Sequence, residues 1–217
     1  MKTTRLVTLA DIRDADARVR PVLRSTPMSS IESIDALLGA RVLLKEEQRQ
    51  RTGSFKIRGA FNRISRLPQG TPVVAASAGN HAQGVALAAS LNGMPATIFM
   101  PSSASLPKVT ATRDYGAEVR FADGGLDVAV RDAIAFAHAS DGVYVPPFDD
   151  PFVIAGQGTL ALEIVEQAPD VRTVVVPVGG GGLISGIAAG LAELAPSVRV
   201  VGVEADGAAS MRASLDA

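Results

Sequence analysis

The stretch VVVPVGGGGLISGIAAGL, residues 174–191, changes character in mid-course. A β-branched run opens it, four glycines at 179–182 interrupt it, and a helix-forming apolar segment closes it. β-Branched residues favour a buried strand, and glycines let the backbone turn tightly into a helix. Strand, glycine loop and helix in that order make a parallel α/β unit. The start of such a helix offers free N–H groups and the positive end of its dipole, so the loop suits a phosphate. A tight turn without a ligand is the lesser alternative for the glycines taken alone. Glu204 stands about where a dinucleotide fold places its acidic residue, but G-x-G-x-x-G fails, because Ile184 or Ser185 occupies the last position. No Gly-Lys-Ser/Thr follows, which excludes a P-loop.

Outward from this unit the chain alternates. Strands are expected at ARVLLKE (40–46), PVVAAS (72–77), ATIFMP (96–101), AEVRF (117–121), GVYVP (142–146), RTVVVPV (172–178) and VRVVGVE (198–204). Helices are expected between them, over 80–92, 106–115, 125–139, 152–168 and 183–195. Two more precede, in TLADIRDADARVRPVL (8–23), with Thr8 as cap and Asp11 three residues on, and SIESIDALLG (30–39). Ser54 is expected to cap a helix running through Lys56 to about Leu67. Such alternation indicates βαβ units in mainly parallel sheets.

Composition narrows the chemistry. Of 217 residues, 47% are hydrophobic and 20% charged, ordinary for a globular protein. Net charge is −1, which argues against nucleic acid or an anionic membrane as partner. There is no cysteine, so disulfides, thiolate nucleophiles and Cys-built metal sites are excluded, and a cytoplasmic location is expected. The two histidines, His81 and His138, lack metal-ligand spacing, and no metal is expected. The N-terminal residues lack the apolar run of a signal peptide, and no stretch reaches the roughly 18 apolar residues of a membrane span.

Two further stretches carry chemistry. ASAGNHAQG (76–84) brings Ser77, Asn80 and His81 to the start of a helix, which suits a carboxylate, though capping explains it as readily. GSFKIRGA (53–60) sets Lys56 among small residues and an aromatic at a helix start. Most lysines are surface decoration, but an amine so placed can be desolvated and reactive, as Schiff-base lysines are. A phosphate cradle, a carboxylate loop and such a lysine are together what pyridoxal 5'-phosphate and an amino acid require.

LLKEEQRQRTGSFKIRGA, AASAGNHAQGVA, MPSSASLPKVTATRDYGAEV, PPFDDPFVIAGQGTLALEI and VPVGGGGLISG closely resemble the threonine dehydratase and serine racemase group of fold-type II pyridoxal phosphate enzymes. The resemblance implies a tryptophan synthase β-subunit-like α/β fold of two domains. Residues 1–47 plus 148–217 would form a large cofactor-binding domain, and 48–147 a small inserted one, with PPFDDP (146–151) at the crossing. It implies that Lys56 carries the cofactor and removes the Cα proton. Phe55 would pack beside the cofactor, Asn80 bond its ring hydroxyl, and Gly179, Gly180, Gly181, Gly182 and Leu183 hold its phosphate. Ser77, Gly79, Asn80 and His81 would hold the substrate carboxylate.

The implied reaction is β-elimination from L-threonine or L-serine, giving a 2-oxo acid and ammonia, in a homo-oligomer. Racemases of the group resemble S-S-G-N-H, whose second serine reprotonates Cα; here Ala78 stands there and transfers no proton. Racemase-type or 3-hydroxyaspartate dehydratase activity is the alternative, as is an inactive fragment serving in binding or assembly. The sulfur-transferring synthase branch is disfavoured by SAGNHAQG and SFKIRG. Glu204 and Ala208 match a cation site of some relatives, but Ser210 replaces its acidic member. Ser29, Ser30, Ile31 and Thr52 fall where some relatives bind an adenine nucleotide. The group's catalytic unit is longer than this chain, so the large domain is expected to be incomplete, with exposed apolar surface and an unpaired strand edge. No residue here is assignable as partner of the pyridine nitrogen.

Overall fold

A computed structural model describes residues 6–216 of the chain. Helix α1 (Leu9–Val19) begins at the expected capping box, in which Thr8 and Asp11 bond each other's backbone N–H. Strand β1 (Met28–Ser30) follows, then α2 (Glu32–Leu38) and β2 (Leu43–Lys45), which pairs antiparallel with β1. Three residues of mixed polarity gave β1 no alternation to betray it. Helix α3 (Lys56–Ile64) is shorter at both ends than the sequence suggested. Ser54 does not cap it. Phe55 is the N-cap and already has helical backbone angles, while the Ser54 hydroxyl is buried without a hydrogen-bond partner.

Then come β3 (Val73–Ala76), α4 (Asn80–Leu91), β4 (Ala96–Pro101), α5 (Leu106–Asp114), β5 (Glu118–Ala122), α6 (Leu126–Ala139) and β6 (Val143–Tyr144). These four strands form one parallel sheet in the order β5-β4-β3-β6. All four residues of β3 are buried, as a central parallel strand covered on both faces requires. One face packs on α3 and α4 through Ile57, Ile64, Val73, Val85 and Ile98. The other packs on α6, whose Ala129, Ala133 and Ala137 recur every fourth residue and let it lie close to Val74 and Phe99.

Helix α7 (Pro151–Gln167) is capped by Asp150, whose carboxylate accepts from the N–H groups of Phe152 and Val153. Strand β7 (Thr173–Pro177), helix α8 (Gly182–Leu194) and strand β8 (Arg199–Val203) form a βαβ unit with β7 and β8 parallel. A short helix, α9 (Ser210–Leu215), ends the described residues. The α/β architecture of parallel sheets flanked by helices is therefore as expected. One face of β7–β8 is open, with Val175 62% and Val203 51% exposed, and among the described residues β8 pairs only with β7. Among the described residues, no helix is long and apolar enough to cross a membrane.

Helices α3, α7 and α8 approach through glycine. A Cβ on Gly156 would lie 2.6 Å from the Arg58 carbonyl oxygen, and one on Gly186 2.6 Å from the Gly158 nitrogen. Backbone cannot yield there as a flexible side chain would. The gain of roughly 0.5–1 kcal/mol that alanine brings to a helix is outweighed by overpacking, so Gly186→Ala is expected to destabilise by about 1–3 kcal/mol. Gly207→Ala, where nothing lies within 4 Å, is expected to stay within about 0.5 kcal/mol of the parent. Urea midpoints of the two variants check this. Equal midpoints would contradict the close helix approach.

Candidate active site

Lys56 is the first residue of α3, and its amine lies under cover. Its Nζ donates to the Pro147 carbonyl at 2.7 Å and sits 5.4 Å from the centroid of the Phe55 ring. Burial pushes its pKa below the ordinary lysine value. Phe55 itself is half-buried against the cluster of Leu160, Val176, Ile187 and Leu191. Lys56 and Phe55 line a cleft of about 290 Å3, whose opposite wall is Pro177 to Ile184, with Phe148 between. The structure thus brings the lysine and all four glycines to one cavity.

The glycine wall is built for a close ligand. Gly181 is the N-cap of α8 with φ +86, a left-handed conformation that a Cβ would strain. It supplies no side-chain oxygen, so the first N–H groups of α8 are left to what enters the cleft. A Cβ on Gly180 would run into the Phe148 ring, and one on Gly182 would lie 3.0 Å from the Phe148 backbone. Met211 occupies the corresponding space beside Gly181.

None of Ser77, Gly79, Asn80 and His81 lines that cleft; their loop leads into α4, which packs on α3. Gly84 of α4 packs against the start of α3, where a Cβ would be 3.1 Å from the Lys56 carbonyl carbon. The Ser77 hydroxyl accepts from the Gly79 N–H at 3.1 Å, and Asn80 Oδ1 accepts from Lys108 Nζ at 2.7 Å. The His81 ring is turned away. It is buried, with Nε2 2.9 Å from the Val145 carbonyl oxygen. A carbonyl only accepts, so Nε2 carries the proton. Burial, opposed by that hydrogen bond but reinforced by the charge of Lys56, lowers the His81 pKa to about 4. His81 is therefore neutral at neutral pH and faces any carboxylate in this loop through its backbone alone.

The PPFDDP segment was legible only as a crossing between two parts of the chain. In the structure Val145, Pro147 and Phe148 meet His81, Lys56 and the glycine wall in turn. An aromatic set between prolines and aspartates was the available signal. Glu204 accepts from the N–H groups of Met211 and Arg212. Among the described residues there is no group of three or more His, Asp or Glu placed to hold a metal.

The sequence profile of the pyridoxal-phosphate dependent enzyme family matches residues 19–217. The chain belongs to that family. It is 48% identical over 213 residues, 97% of its length and 53% of the relative's, to an L-threonine ammonia-lyase of Thermotoga maritima. Its fold superposes on maize serine racemase with a TM-score of 0.91 at 37% identity, over 97% of this chain and 66% of that one. It superposes on the processed form of threonine deaminase isoform 2 from Solanum lycopersicum with a TM-score of 0.92 at 40% identity, over 98% and 61%. The chain spans about half the length of the curated relatives it matches.

The residues present fit the family's cofactor. An uncapped helix start edged by glycines suits a phosphate dianion, and a desolvated amine across the same cleft suits an aldehyde. Buried beside Val145, His81 generates a pH dependence of its own. Its folded pKa of about 4 lies below the ordinary 6.5, so the unfolded chain binds a proton that the folded one refuses. The resulting stability is whole above about pH 6.5 and is lost as pH falls through about 4, by as much as about 3 kcal/mol. His81→Gln retains an N–H for Val145 but does not titrate. Urea midpoints taken between about pH 7 and pH 4 are expected to fall more steeply for the parent than for His81→Gln. Parallel curves would rule out the buried neutral imidazole.

Proposed function

We propose that the protein catalyses pyridoxal phosphate-dependent β-elimination of L-threonine or L-serine, releasing ammonia and a 2-oxo acid. The observation that carries this reading is the shared cleft of Lys56 and the Gly179–Gly182 loop. Its similarity to threonine ammonia-lyases and deaminases directs the choice of reaction. When bound, pyridoxal phosphate supplies an electron sink for the charge that develops at the substrate Cα.

The chain's own residues do the rest. The N–H groups from Gly179 to Gly182 and Leu183 hold the phosphate, and Phe55 packs beside the ring. Asn80 donates to the ring hydroxyl. The Ser77 hydroxyl and the backbone of Gly79, Asn80 and His81 hold the substrate carboxylate at the start of α4. Lys56, whose amine burial makes less basic, takes the Cα proton. Ala78 presents only a methyl group, so no side chain at that position returns a proton to the opposite face. This favours elimination over inversion, although serine racemase shares the fold.

The cleft lies between the start of α3, a helix that packs on the four-stranded sheet, and the turn from β7 into α8. This supports a division into a large domain of 1–47 plus 148–217 and a small one of 48–147. Neutral composition and the lack of cysteine support a cytoplasmic location, and the exposed Val175 and Val203 support assembly into a homo-oligomer.

Borohydride reduction of the loaded protein is expected to leave a pyridoxyl group on the peptide containing Lys56, and Lys56→Ala to lose the visible band with its fold kept. Label on Lys45 or Lys108 instead would refute the assignment. With L-serine or L-threonine, release of 2-oxo acid is expected to outpace inversion at Cα, and Ala78→Ser to raise the share of inversion. Inversion outpacing elimination in the parent protein would overturn the reaction type.

A further inference from the structure

The contact between Lys108 and Asn80 joins two elements 28 residues apart in sequence. Lys108 lies in the first turn of α5, and its Nζ donates to Asn80 Oδ1 at 2.7 Å. An ammonium has donors and no acceptor, so the amide must present its oxygen to Lys108. Its Nδ2, with two N–H groups, is then the end left for another partner. Without such a contact a half-exposed asparagine amide has two orientations of similar energy, one of them presenting oxygen where a donor is wanted. Asn80 and Gly84 share a face of α4, being four residues apart, and Gly84 packs against the Lys56 backbone. The amide whose orientation Lys108 fixes therefore stands at the Lys56 end of α4. Gly79 is adjacent, where an added Cβ would be 3.9 Å from Nζ.

We propose that Lys108 is a positioning residue for the cofactor, acting through Asn80: its ammonium holds Oδ1 and so commits Nδ2 to donate to the ring hydroxyl of pyridoxal phosphate. The inference rests on the reading of Asn80 and Lys56 given above. Lys108 touches neither substrate nor cofactor in this scheme. It selects one of two amide orientations, and the unselected one would set oxygen against oxygen. Loss of one charge-assisted hydrogen bond at a part-exposed site corresponds to about a three- to tenfold weaker cofactor affinity.

The test is a pyridoxal phosphate titration of the protein, following the visible band, for the parent, Lys56→Ala, Lys108→Met, Lys108→Arg, Asn80→Ala and the Asn80→Ala/Lys108→Met pair. Lys108→Met is expected to bind about three- to tenfold more weakly and to shift the band, because the ring hydroxyl loses an oriented donor. Lys108→Arg, which also only donates, is expected to recover most of both. In the Asn80→Ala background, removing Lys108 is expected to change nothing further, since its only route of action is gone. Parent-like affinity and band position in Lys108→Met would overturn the proposal. So would an equal loss in the Asn80→Ala background, which would mean that Lys108 acts on the cofactor or the fold directly. A parent band that survives Lys56→Ala would instead sink the underlying reading, and the same titration separates the two failures.

Discussion

The Arg58 guanidinium is 1% exposed and binds carboxylates from two distant parts of the chain. Its Nε and one terminal nitrogen grip Glu47 at 2.8 Å each, and the other terminal nitrogen reaches Glu163 at 2.7 Å. Glu163 is shared with Lys45. Burial alone would disfavour every one of these charges, yet Arg58 is held more basic than usual, by Glu47 first and then Glu163, and Glu163 more acidic, by Arg58 and then Lys45. Breaking such a set leaves a buried charge alone and costs roughly 3–5 kcal/mol, whereas an apolar replacement of the whole set could be neutral. Its value here is therefore geometric. It fixes the helix that carries Lys56 at one rotation and one height against α7.

From that constraint the cleft follows. Helix α3 can reach α7 only because Gly59 and Gly156 face each other, and the Gln157 amide oxygen accepts from the Gly59 N–H at 3.1 Å across the gap. Helix α7 in turn meets α8 through Gly158 and Gly186. The glycine wall at the head of α8 and the lysine at the head of α3 are thus placed relative to one another through three closely packed helices. The 146–150 segment runs from β6 into α7, so the residue that caps α7, Asp150, ends the same strip that supplies Pro147 and Phe148 to the cleft. Asp150 also pairs with Arg63 of α3, a second tie between the same two helices.

Local features of this architecture could be read from sequence, and features made by distant residues could not. The strand-to-helix alternation, the Thr8 capping box and the glycine turn into α8 depend on neighbours within a few positions. They appeared where the pattern placed them. Strand β1 exists because β2 is there to pair with it, not because Met28–Ser30 has strand character. Ser54 has the right chemistry for a cap, but the backbone is already helical at Phe55, so the cap position falls one residue later. Arg58 looked like any charged residue beside Lys56, since its partners lie 11 and 105 residues away. Phe148 was hidden for the same reason, as its role is to face glycines more than 30 residues further on.

Among the described residues, no arginine lines the cleft of this nearly neutral protein. The ion pairs that lock α3 lie behind the lysine and are internally balanced, so they contribute little field in front of it. What remains are helix starts. Helix α3 begins at Lys56, α4 at Asn80 beside it, and α8 at Gly182 across the cleft. Their N-caps are Phe55, Gly79 and Gly181, and none contributes a side-chain oxygen to the first turn, in contrast to Thr8 and Asp150. Helices α5 and α6 also lack such caps, so the absence alone marks nothing. What distinguishes the starts of α3 and α8 is that both line one cleft. Positive helix ends favour anions, and at Lys56 burial disfavours the ammonium form. One cleft therefore sets an amine made less basic by burial opposite a helix start that favours anions.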